Sequence, residues 1–88
     1  MKRKHKTIET LGRVVKTGRG FEAIDFKDMY DNPCSLQQSS VAIYESPGAS
    51  AVWLGNGEQR MHLSRGHVRA LIGHLERWLK DNTFEMSE

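Results

Sequence analysis

The clearest pattern of apolar and polar positions lies in residues 59–81, which read as a short strand running directly into an amphipathic helix. Val68, Leu71, Ile72, Leu75 and Leu79 follow the helical period. Ser64 stands at the N-cap, where its hydroxyl can accept from a free N–H of the first turn. Leu63 and Val68 have the spacing of a hydrophobic staple around it.

Upstream the pattern shortens to strands. In residues 21–27, Ile24 and Phe26 alternate with polar positions. Asp31-Asn32-Pro33 then makes a turn, because Asx side chains bond the local backbone and proline pre-sets its own φ. Residues 35–45 read as the returning strand, broken by Ser46-Pro47-Gly48, and residues 50–54 as the next. Asn56-Gly57 predicts a tight hairpin, since both residue types tolerate positive φ. Residues 59–63 pair back across it.

These elements predict an α+β fold: an antiparallel sheet of about four strands with one C-terminal amphipathic helix packed on one face. The expected core holds Ile24, Phe26, Leu36, Ile43, Val52, Leu54, Met61 and Leu63, with Val68, Leu71, Ile72, Leu75 and Leu79 from the helix. Residues 21–84 form the single domain, and residues 1–20 a basic, partly flexible arm whose Thr7–Thr17 stretch can serve as an edge strand.

Charge sharpens this division. Residues 1–20 carry seven basic residues against Glu9 alone, a charge of +6. Residues 21–88 carry six basic and ten acidic residues, a charge of −4. Lys2, Arg3, Lys4, Lys6, Arg13 and Arg19 can replace condensed counterions on nucleic acid. The lone Cys34 excludes an intramolecular disulfide framework. No apolar run is long enough to span a membrane, and no apolar segment follows the basic start as a secretory signal requires. The expected location is the cytoplasm of a bacterial host cell.

Candidate chemistry is sparse. Glu22, Asp25, Asp28 and Asp31 do not have the spacing of a calcium loop. His67 and His74 lie two helical turns apart, too far to share one metal ion easily, and His62 lies on the preceding strand. Cys34 reads as a packing group rather than a nucleophile. No nucleophile elbow, phosphate loop or dinucleotide fingerprint occurs. The expectation is a protein without enzymatic activity, metal or cofactor.

The stretch that breaks pattern is Ser35-Leu36-Gln37-Gln38-Ser39-Ser40, where polar side chains point to both faces of a strand. Ser35, Gln37, Gln38, Ser39 and Ser40 form a candidate recognition surface, since amides and hydroxyls both donate and accept. Trp53 can supply its aromatic floor and Arg60 a cation. On the helix, Gly66, Ala70 and Gly73 lie away from the apolar stripe and, with Trp78, form a candidate dimer contact.

Two resemblances attach to these residues. The blocks Phe21-x-x-Ile24-x-Phe26-x-Asp28-x-Tyr30, Cys34-Ser35-Leu36-Gln37-x-Ser39-Ser40, Val52-Trp53-Leu54-Gly55 and Arg60-Met61-His62-Leu63 followed by the helix resemble a family of small uncharacterised proteins of tailed phages and prophages. The resemblance covers residues 20–84 and implies a phage product working inside a bacterial cell. Its members often carry a longer insertion where this chain has the short hairpin Gly55–Glu58. The strand–cap–helix ending is also similar in layout to transcriptional-coactivator-type single-stranded DNA-binding domains, which implies dimerisation and binding on the sheet. Two functions are therefore expected. The first is a phage accessory protein that binds and modulates a host component, either a protein or a defence signalling molecule. The second is a single-stranded DNA-binding module using the arm and an exposed sheet face.

Overall fold

A computed structural model describes residues 10–41 and 48–86. Five strands precede one helix: β1 Val14–Lys16, β2 Glu22–Lys27, β3 Pro33–Gln38, β4 Ala51–Asn56, β5 Gln59–Ser64 and α1 Arg65–Asp81. All neighbours are antiparallel and the spatial order is the chain order. Short connections between sequential strands favour such a meander. The sheet has five strands rather than about four, because Val14–Lys16 inside the basic arm pairs with Glu22–Ile24.

Turn chemistry sets the register. The Asp28 carboxylate accepts from the Tyr30 N–H at 2.8 Å, the Asn32 N–H at 2.9 Å and the Asn32 amide at 3.0 Å. These bonds favour its charged form and hold its pKa below the usual aspartate value, the Asn32 side-chain bond having the largest effect. Asp31 takes the left-handed conformation at φ 66°, which Asp tolerates better than most residues. Pro33 opens β3 opposite Lys27, a position where its missing N–H is tolerated. The second hairpin closes on the pair Asn56–Gln59, so Gly57 and Glu58, not Asn56 and Gly57, are its two central residues. Gly57 has φ 53° while Glu58 has no positive φ, the pattern of a Gly-first type II′ turn.

The two faces of the sheet differ. One carries a row that crosses all five strands and is wholly apolar: Val14, Ile24, Leu36, Leu54 and Met61. The helix leaves the end of β5 beside this face. A cleft lined by Ala51, Val52, Val68 and Ile72 separates it from β4. Ser64 caps the helix as expected: its Oγ accepts from the His67 N–H at 3.1 Å, and His67 Nδ1 accepts from the Ser64 N–H at 3.2 Å. Histidine thus takes the reciprocal place that Glu or Gln usually fills in a capping box.

The helix ends at Asn82, in the left-handed conformation at φ 61°, with its N–H bonded to the Trp78 carbonyl at 2.8 Å. The chain then turns back along the helix. His74 Nδ1 donates to the Phe84 carbonyl at 2.7 Å and Arg77 Nε to the Glu85 carbonyl at 2.7 Å. Arg77 also pairs with Asp81.

The expected core is not closed. Ala23 and Ala51 are the buried apolar side chains among the described residues. Met61, Ile72, Leu75 and Leu79 are exposed, and Ile24, Phe26, Leu36, Val52, Leu54 and Leu63 are only half-buried. Ile43 lies outside the described residues. The physical reason is placement: the helix touches the sheet mainly where β5 runs into it, and a cleft stands between its Val68 and Ile72 and β4.

Candidate nucleic-acid interface

The opposite face carries the chemistry. Register places Val15, Ala23, Gln37, Trp53 and His62 in one row across the five strands. Asp25, Ser35, Gly55 and Arg60 form the next row on the same face. Alternation along β3 therefore sends Ser35, Gln37 and Ser39 to this side and Leu36 and Gln38 to the other.

Trp53 and His62 stand opposite each other on β4 and β5, and their rings stack at 3.9 Å with planes 8° apart. Ser39 fixes the stack from below. It is buried, its Oγ lies 2.8 Å from His62 Nε2, and the same Oγ accepts from the Val41 N–H at 3.1 Å. The Arg60 guanidinium carbon lies 4.7 Å from the Trp53 ring centroid, within cation–π range.

Arg60 reaches its place because Gly55 faces it on β4. A Cβ on Gly55 would come within 2.2 Å of the Gln59 carbonyl oxygen and 2.7 Å of Arg60 Cα. The backbones can approach this closely only where a side chain is missing.

The loop between β1 and β2 supplies the other wall. Thr17 Oγ1 accepts from the Phe21 N–H at 3.1 Å and the Arg19 N–H at 3.3 Å, and Gly20 takes φ 90°. This fold of the loop brings the Arg19 guanidinium to 5.8 Å from the Phe21 ring centroid. A cleft of about 390 Å³ results, lined by Thr17, Arg19, Phe21, Gln37, Trp53 and Arg60 among others. It combines two arginine–aromatic pairs with an amide that can donate and accept.

The carboxylates are segregated from this cleft. Glu22 lies on the apolar side of the sheet by alternation, and Asp28 and Asp31 belong to the β2–β3 turn. Asp25 is the acidic residue that the described strands place on the open face. Glu45 lies outside the described residues.

The expected binding residues separate accordingly. Ser35, Gln37, Trp53 and Arg60 share the open face, and exposed Ser40 also lines the cleft. Ser39 is a buried support for His62. Gln38 accepts from the Glu22 N–H at 2.8 Å and packs against Gly48, so it ties strands together, and it also lines the cleft. Of the basic arm, Arg19 enters the cleft and Arg13 is exposed; Lys2, Arg3, Lys4 and Lys6 lie outside the described residues. Cys34 contacts the Asn32 carbonyl at 3.4 Å on the apolar side.

The small-residue stripe of the helix meets the chain's own tail. Met86 Cε lies 3.5 Å from where a Gly73 Cβ would stand, and the nearest atom for Gly66 is Ser64 Oγ at 3.6 Å. Ala70 is exposed, and Trp78 is about half exposed.

His62 and Phe21 were absent from the site expected on sequence. His62 carried no clear signal: a turn centred on Asn56-Gly57 sets Arg60 opposite Trp53, and only the observed closing pair Asn56–Gln59 brings His62 there. Phe21 is visible in sequence as an aromatic that could stack a base, but its place in the cleft depends on the Thr17 hydroxyl. No family model matches this chain, and neither a curated protein nor a solved structure is similar to it by the comparisons made.

Proposed function

We propose that this protein binds single-stranded nucleic acid along the open face of its sheet. The carrying observation is the Trp53–His62 stack flanked by Arg60, facing Phe21 and Arg19 across one cleft. Single-strand binders combine aromatic platforms for bases with cations that follow the backbone. Here the Trp53–His62 stack and Phe21 act as platforms as Arg60 and Arg19 turn from their ring faces to phosphates, and Gln37 bonds a base edge. Lys2, Arg3, Lys4 and Lys6 add positive charge to the chain. The role is binding rather than catalysis, in keeping with a phage accessory protein acting inside a bacterial cell.

A second reading rests on the cleft volume, which falls in the range of small-molecule pockets. There the ligand is a single nucleotide-like host signalling molecule, sequestered by the same residues. Anisotropy titration of a labelled oligothymidylate, with and without excess thymidine monophosphate, separates the two. Salt-sensitive oligonucleotide binding that resists the mononucleotide supports the first reading. Tight binding of a mononucleotide or cyclic nucleotide with none of the oligomer supports the second. No binding of either at low salt removes both.

A further inference from the structure

We infer that a second copy of this chain covers the apolar side of the sheet and helix, leaving the open face of each copy outward. Among the described residues, no layer closes the apolar row Val14–Ile24–Leu36–Leu54–Met61 into a core. Met61 is 54% exposed, Ile72 50% and Leu79 74%, and Leu75 and Trp78 are exposed with them. Ile72, Leu75 and Leu79 lie on its apolar stripe and Trp78 at the margin of it.

The area fits a dimer. Five half-exposed large side chains offer roughly 100 Å² apiece, or about 500 Å² per copy and about 1,000 Å² per pair. The half-buried sheet residues raise this toward the standard size of a specific interface. The shape agrees: the radius of gyration is 15.3 Å, against about 12 Å for a compact chain of this length.

The occupant is a second copy for a geometric reason. One chain presents both an uncovered sheet face and an uncovered helix stripe. In a two-fold pair each helix stripe meets the partner's sheet, so one symmetric contact covers both. This arrangement uses Ile72, Leu75 and Leu79 in place of the glycine stripe, where Met86 already sits.

Sedimentation equilibrium of the full chain tests the inference, across roughly 1 to 200 µM. The expected mass is twice 10.0 kDa. The thermal midpoint should rise with protein concentration, because dissociation is coupled to unfolding. Leu79→Glu and Ile72→Glu should each weaken association at least tenfold, whereas Arg13→Glu on the exposed arm should not. A cooperatively folded species of 10.0 kDa at every concentration overturns the inference, whether or not it binds phosphatidylglycerol vesicles. Oligonucleotide binding is read separately, since its residues lie on the other face.

Discussion

Replacing Trp53 by alanine isolates the stacking contribution to binding. Its ring stacks on His62 at 3.9 Å and lies 4.7 Å from the Arg60 guanidinium, so it is both the platform and the brace for its neighbours. Stacking one base on an aromatic side chain is worth ~1–3 kcal/mol by alanine substitution. At about 2 kcal/mol the dissociation constant rises roughly 30-fold. The assay is fluorescence anisotropy with a labelled oligothymidylate, with thermal melting of each variant to confirm that it folds. Trp53→Phe keeps a π-face and should recover much of the loss. Arg60→Gln should act differently, lowering the log–log salt slope by about 0.7 because one phosphate contact disappears. Trp53→Ala should leave that slope unchanged. A folded Trp53→Ala variant that binds within twofold of the parent refutes the platform.

Four further outcomes follow from the same geometry. Ser39→Ala removes a buried hydroxyl bonded to His62 and Val41 and should cost about 1–2 kcal/mol in urea unfolding, with weaker oligonucleotide binding as the stack loosens. Gly55→Ala forces a Cβ against the Gln59 carbonyl and should destabilise by ~3 kcal/mol or abolish folding, whereas Gly73→Ala meets only a flexible methionine tip and should stabilise by up to about 1 kcal/mol. Ser64→Ala should cost about 1 kcal/mol through loss of the helix cap, measured by thermal unfolding. The depressed pKa of Asp28 gives the β2–β3 turn a stabilisation that is complete above the usual aspartate value and fades as pH falls through the lower folded value; Asp28→Asn should flatten that acid limb in pH-dependent melting.

Sequence and structure agree where local chemistry decides. The helix and its Ser64 cap are legible because the apolar period and the capping hydroxyl act within a few residues. β2, β4 and β5 are legible because turn residues bound them, whereas the strand read over residues 35–45 ends at Gln38, where Ser39 and Ser40 leave the ladder. Ser35, Gln37, Trp53 and Arg60 are legible as a polar, aromatic face because alternation in β3 fails visibly there. Other features depend on relations between elements. The hairpin shifts by one residue because Gly57 takes the first central place, and this shift decides that His62 faces Trp53. Gln38 resembles Gln37 in sequence, yet it turns to the other side and bonds the Glu22 N–H. The edge strand Val14–Lys16 is hidden in a run of charges because it is short and exposed, and pairing with β2 rather than its own pattern defines it. The open core follows from how little of the sheet the helix covers, a relation between elements that periodicity does not encode.

Chemical-shift mapping of the isotope-labelled chain with oligothymidylate locates the nucleic-acid face residue by residue. The largest shifts are expected on the Trp53 indole N–H, His62, Arg60, Gln37 and the Thr17–Phe21 loop, while Ile24, Leu36 and Leu54 stay in place. Shifts confined to the apolar face, or none at saturating oligonucleotide in low salt, contradict binding at this face.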